Sequence, residues 1–335
     1  MNLISLLQEM VKIESVTGNE NELCYFLKEI LEEFSEVELQ KVKDRFNLIA
    51  MRGDAEILLL GHLDTVPIGE GWKFKQGEIV DKKLYGRGSS DMKAGLSAMI
   101  EAFRVSENVC FAAVVGEEGR GEGAEELNKS MRFKFGIVGE PTDLNLVIVE
   151  KGIVTFKVET QGKACHSSRP WDGVNAIHKM SEVIEVLKNF EFRNSHPLLG
   201  HSTMQVTGIE GGVAHNVIPD RCIATVNLRV IPEDENIFEE IEKSLKDCRV
   251  KKVLSGKPYE ISKKNKYVEL LKKISGGEFM GMHGATDARL LETPCVIFGP
   301  GNLEVSHQID EYVELENVER GTEILKKFLK EVSRL

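Results

Sequence analysis

The chain has 335 residues, 41% hydrophobic and 29% charged, an ordinary globular balance with room for one large domain or two smaller ones. Its formal net charge is −11 and it has no Lys/Arg-rich run, which excludes nucleic acid as an expected partner, because neutralising phosphates requires clustered cations. No apolar stretch approaches the ~20 residues that cross a bilayer, so no membrane partner is expected either.

The opening segment, M-N-L-I-S-L-L-Q-E-M-V-K-I-E, reads as an amphipathic helix bearing acidic residues, whereas a secretory leader starts basic and continues purely apolar. The six cysteines are scattered, without a C-x-x-C pair. Together these features predict a cytoplasmic protein with reduced thiols. Short continuous apolar runs then occur at 56–60, 109–115, 135–138 and 295–298, each followed by Gly and a polar loop. Helical patterns lie between them, at 92–104 and 124–129. This alternation predicts an α/β fold with a mostly parallel sheet sandwiched by helices.

Near Gly152 the pattern changes. Residues 153–160 alternate apolar and polar, as a half-exposed antiparallel strand does. A helical stretch (173–188), two strand-like segments (202–209 and 222–230) and an acidic amphipathic helix (235–246) follow. The β-α-β-β-α-β order predicts an inserted α+β, ferredoxin-like domain over 152–260. From about Lys264 the chain returns to helix, apolar strand and a closing helix at 315–333. Residues 1–151 and 261–335 are therefore expected to form one discontinuous α/β domain.

Ligand-type residues follow the buried runs, where sites of open α/β sheets lie. The run at 56–60 leads into G-H-L-D-T-V-P with His62 and Asp64, and that at 109–115 into G-E-E-G with Glu117 and Glu118. The third leads into G-E-P-T-D with Glu140, and the fourth into G-P-G-N-L-E-V-S-H with His307. G-R-G-S-S-D-M-K-A-G adds Asp91 at a helix start. Two imidazoles and several carboxylates at one sheet edge suit a pair of divalent cations, with zinc the first candidate and cobalt or manganese as substitutes. In this reading Asp91 bridges the ions. His62 and Glu140 hold one of them, and Glu118 and His307 the other. Asp64 accepts the second imidazole N–H of His62, and Glu117 is the general base. Cys165, beside His166, is read as an ordinary thiol and not a nucleophile.

At these residues the chain resembles the co-catalytic metallohydrolases that include aminoacylase, acetylornithine deacetylase, succinyl-diaminopimelate desuccinylase and the glutamate carboxypeptidases. The matching segments are G-H-L-D-T-V-P, L-Y-G-R-G-S-S-D-M-K-A-G, G-E-E-G, G-E-P-T, G-K-A-C-H-S-S-R-P-W-D-G-V-N-A-I, G-G-V-A-H-N-V-I-P-D and F-G-P-G-N-L-E-V-S-H. They run through nearly the whole chain in the family's order. The resemblance implies a zinc-exopeptidase-like catalytic domain and makes the insert a lid that also forms a homodimer. It also makes His166 an oxyanion donor reaching the other subunit's site, with Asn216 a second contributor in trans. Arg229 becomes a binder of substrate carboxylate, and Gly284 and Thr286, within H-G-A-T-D-A-R, line the substrate pocket. Of the remaining histidines, His178, His196 and His201 are expected at the surface, and His283 is left as a substrate contact.

The implied reaction is hydrolysis of an N-acyl amino acid in lysine or arginine biosynthesis, with succinyl-diaminopimelate desuccinylase first. Deacetylation of acetylornithine, acetyl-lysine or carrier-linked lysine is one alternative, and a dipeptidase or carboxypeptidase another. One departure stands out: Lys151-Gly152 is followed by Ile153, where some desuccinylases carry an arginine.

Overall fold

The computed structural model describes residues 1–332, so the expected end of the last helix at Ser333 lies outside the described residues. The chain divides into two compact units. Unit 1 comprises Met1–Ile148, Ile261–Met280 and the chain from Thr286 onward; unit 2 comprises Val149–Glu260 with Gly281–Ala285.

Unit 1 opens with α1 (Leu3–Lys12), whose first turn is capped by the Asn2 side chain accepting the Ser5 N–H, and which buries Leu6, Leu7, Met10 and Val11 at helical spacing. Next come α2 (Asn21–Leu31) and a hairpin of β1 (Glu36–Val42) and β2 (Arg45–Arg52), followed by β3 (Ile57–His62). Two short strands, β4 (Glu78–Val80) and β5 (Lys83–Tyr85), precede α3 (Ala94–Arg104), β6 (Val109–Val114), α4 (Glu122–Ser130), β7 (Phe135–Val138) and β8 (Leu146–Glu150).

Unit 2 carries β9 (Gly152–Gln161), β10 (Cys165–His166), α5 (Ala176–Lys188), β11 (Thr203–Gly211), β12 (Val217–Ile218), β13 (Arg221–Val230), α6 (Ile237–Ser244), β14 (Cys248–Gly256) and β15 (Tyr259–Glu260). Its four-stranded sheet runs β11-β13-β9-β14, antiparallel throughout. The alternating burial of β9 and β13 turns Phe156, Val158, Ala224, Val226 and Leu228 inward to a core shared with Met180 of α5 and Phe238 and Ile241 of α6.

The closing segments are α7 (Lys266–Ser275), β16 (Phe279–Met282), β17 (Cys295–Ile297), β18 (Tyr312–Glu314) and α8 (Leu315–Val332). The large sheet runs β1-β2-β6-β3-β7-β17-β8. It is mixed, which corrects the expected mostly parallel sheet. The central β6, β3, β7 and β17 run parallel, while β1, β2 and β8 join antiparallel. The parallel strands are buried on both faces, which is why they read as unbroken apolar runs. Because they are parallel, their carboxyl ends share one edge. α3 starts beside that edge: a Cβ on Gly95 would lie 2.0 Å from the Gly139 carbonyl oxygen, so glycine is what lets the helix start approach the β7 turn so closely.

Candidate metal centre

His62 is the last residue of β3, Asp91 lies in the irregular turn 89–93 that feeds α3, and Glu140 follows β7. The His62 Nε2 is 3.3 Å from Asp91 Oδ1 and 3.7 Å from Glu140 Oε2. Asp91 turns its other oxygen to the loop after β17, with Oδ2 3.5 Å from His307 Nε2. That nitrogen is in turn 2.8 Å from Glu118 Oε1. Two groups of potential ligands thus share Asp91: one with His62 and Glu140, the other with Glu118 and His307, each with donor atoms within 4.8 Å of one another.

These residues suit cations. Donors about 2.0–2.1 Å from a tetrahedral ion lie roughly 3.3 Å apart, close to the spacings within the first group. Glu140 Oε1 is buried with no hydrogen-bond partner among the described residues, a costly state for a carboxylate oxygen unless positive charge faces it. The His62 Nδ1 is 2.8 Å from the Asp64 main-chain oxygen. Nδ1 therefore carries a proton, and Nε2 is the nitrogen turned to the carboxylates, the one a cation would take in place of a proton.

That contact corrects the role expected of Asp64. Its carboxylate is 3.7 Å from His62 Nδ1, beyond hydrogen-bond range. It accepts instead the N–H groups of Gly116 (3.0 Å), Glu117 (3.1 Å) and Glu118 (3.0 Å), and the Thr17 hydroxyl (2.8 Å). Just past β3, the Asp64 backbone carbonyl and not its side chain meets the ring. Asp64 thereby fixes the main chain that presents Glu117 and Glu118. Within the same loop, the Gly116 carbonyl receives N–H groups from Arg120 and Gly121.

The electrostatics are those of crowded anions. Burial pushes the Glu140 carboxyl up to about 7, offset in part by His62. Burial and then Glu140 raise Glu117 well above its ordinary value, with His62, Asp287 and Glu118 also in electrostatic reach. Burial alone would lower the His62 imidazole, but Glu140 and Asp91 outweigh it and raise it well above 6.5. For Asp91, burial is likewise outweighed, here by the histidines, and its carboxyl falls below the usual range.

The other expected site residues are placed as follows. His166, on β10, is exposed, and its Nδ1 accepts the Ser168 N–H at 3.1 Å. Its proton therefore sits on Nε2, as a donor. Asn216 is exposed and its main-chain oxygen accepts the Ser167 N–H at 2.9 Å. Arg229, half-buried on β13, lies opposite Ile153 of β9 and Thr203 of β11. Gly284 is exposed in unit 2, whereas Thr286 is buried in unit 1, its side-chain oxygen accepting the Ala288 N–H. His178, His201 and His283 are exposed. His196 is not: it is 7% exposed, at the head of the 196–200 turn, with Nδ1 accepting the Leu198 N–H.

Asp287 was not legible as a site residue. It is buried, its carboxyl raised to about 7 by burial, with His62, Glu140 and Asp64 in electrostatic reach. Its Oδ1 lies 3.0 Å from where a Cβ on Gly121 would stand, against the loop carrying Glu117. An Asp in a short loop after Thr is ordinary turn chemistry, so only the fold distinguishes it.

The sequence profile of peptidase family M20/M25/M40 matches residues 58–331. A probable carboxypeptidase of Aspergillus clavatus is 31% identical, over 96% of this chain and 88% of its own. A probable succinyl-diaminopimelate desuccinylase of Staphylococcus aureus is 29% identical, over 98% of both chains. Among solved structures, a tripeptidase from Staphylococcus aureus superposes with a TM-score of 0.85 at 23% identity, over 99% of this chain and 98% of the other, a likeness of fold.

Proposed function

The chain belongs to peptidase family M20/M25/M40, and from that membership we propose that it is a two-metal hydrolase removing the acyl group of an N-acyl amino acid. The observation that carries the reading is Asp91, one carboxylate facing two separate histidine–carboxylate groups. The first substrate we assign is N-succinyl-L,L-diaminopimelate, in keeping with the full-length match to a probable desuccinylase. A carboxypeptidase is the second reading, favoured by Ile153 after Lys151-Gly152 and by the similarity to a probable carboxypeptidase.

In the proposed site His62, Asp91 and Glu140 would hold one cation, and Asp91, Glu118 and His307 the other. We assign both as zinc. Cations held there would supply Lewis acidity to the scissile carbonyl and to the attacking water. Glu117 accepts the proton of that water as its oxygen bonds to the carbonyl carbon. It then gives the proton to the leaving nitrogen as the C–N bond breaks, so that one carboxyl serves as base and then acid. The Asp64 hold on the Glu117 N–H limits wandering of that carboxyl between the two transfers. His166, protonated on Nε2, donates to the oxyanion, and Arg229 pairs with a substrate carboxylate.

Turnover of the metal-loaded protein on N-succinyl-L,L-diaminopimelate, N-acetylornithine, N-acetyl-lysine and a dipeptide series, side by side, tests the assignment. Preference for an acylated amino acid is expected; cleavage of the dipeptides alone would transfer the assignment to the peptidase reading. We further propose that His166 acts from a second copy of the chain, within a homodimer formed by unit 2. His166→Ala mixed with Glu117→Ala should then regain part of the activity that each lacks, because mixed dimers assemble one intact site. Subunits shown to exchange without any rescue would refute action in trans.

A further inference from the structure

Behind the ligand cluster lies an ion pair with no counterpart in the assignment above. Arg87 and Glu311, 224 residues apart, are joined at 2.7 Å between Nη1 and Oε2, and both side chains are buried. The other Glu311 oxygen accepts the N–H groups of Ser90 (3.0 Å) and Asp91 (3.1 Å). The Arg87 guanidinium donates to the carbonyls of Pro67 (3.2 Å), Ile68 (3.4 Å) and His307 (3.4 Å). One pair therefore grips the main chain of three segments: the loop that leaves His62, the turn that carries Asp91, and His307 itself.

Two features set this apart from ordinary core packing. Burying both ions is costly, and apolar residues of similar volume would serve stability as well or better. His307 also has φ of 62°, a left-handed conformation that non-glycine residues adopt only when their surroundings hold them there. Its carbonyl is one of the points Arg87 holds. The planar fork of arginine suits this task, since a lysine ammonium cannot meet a carboxylate and three divergent carbonyls together.

We infer that Arg87 and Glu311 are positioning residues that set Asp91 and His307 for the second cation. The inference rests on the two-metal reading and deepens it. Contact with the main chain of Asp91 and His307 reaches two of the three ligands in the Asp91–Glu118–His307 group. In the other group it reaches the shared Asp91 and the loop beyond His62.

The test is stepwise binding of Zn(II) or Co(II) by competition with a chromophoric chelator, using the full chain, for Arg87→Lys and Glu311→Gln. The second equivalent should bind roughly 10–100-fold more weakly, as outer partners of metal ligands typically contribute, and the first, which shares only Asp91 with the brace, should weaken by a smaller factor. The Co(II) absorption of the second site should change with it. Because a single change leaves one buried charge unpaired, the neutral pair Arg87→Met with Glu311→Gln is measured alongside, and the same selective weakening is expected. Variants that melt lower yet bind both equivalents as the parent does would make the pair merely structural and overturn the inference. A parent that takes up no second equivalent would instead overturn the two-metal reading, and the brace with it.

Discussion

Glu117→Gln is expected to keep both metal equivalents and lose roughly 10²–10⁴-fold in kcat, the usual contribution of a positioned acid–base group. Glutamine matches the volume and preserves the N–H that Asp64 accepts, so the loop should hold its shape. What it cannot do is take up a proton. The substitution also removes one of several mutually repelling carboxyls, raised by burial and by Glu140, so the folded state should not suffer. Loss of turnover with KM and metal content near parental values isolates the proton-transfer role. If turnover survived, the base would have to be sought elsewhere, and Asp287, buried against the same loop, would be tested next.

The contrast between Glu117 and Asp287 shows what the sequence could disclose. Glu117, Glu118, Glu140 and His62 sit within a few residues of strands buried on both faces. Such strands write themselves as unbroken apolar runs, and β7 spans the very residues of its run. Placement at the sheet edge then follows from parallel strand direction. Asp287, Arg87 and Glu311 acquire meaning only through contacts across long sequence separations, and no local pattern encodes those. The mixed character of the sheet was hidden for a related reason. β8 is buried throughout and reads like its parallel neighbours, although it pairs antiparallel with β17. Asp64 shows the finer limit. A two-residue spacing from His62 suggests a ring partner, but past the strand end that spacing no longer fixes which Asp64 oxygen meets the ring, and the backbone carbonyl does so.

Stripping the metals should destabilise the protein by an amount that grows with pH. Taken alone, Glu140 titrates at about 7 against 4.5 in the unfolded chain, and Asp287 at about 7 against 3.8. Glu117 and His62 are displaced upward as well. A raised folded pKa means that the folded state holds more protons than the unfolded one. The stability this brings is fully present below the unfolded value and is lost as pH rises through the folded value. Asp91, lowered, opposes this trend, but over a lower range of pH. The stripped protein should therefore melt progressively lower as pH rises from about 5 to about 8. Divalent cations supply the positive charge that the protons supplied, so the loaded protein should lose little over that range. Free metal at about a thousand times its Kd would stabilise by about 4 kcal/mol. Since metal and protons compete for the same carboxylates, that gain should shrink toward the acid end. Paired melting curves with metal and with chelator across this range decide the matter. A gap that widens with pH is expected. A gap that stays constant would mean that the buried carboxylates are not where the cations bind.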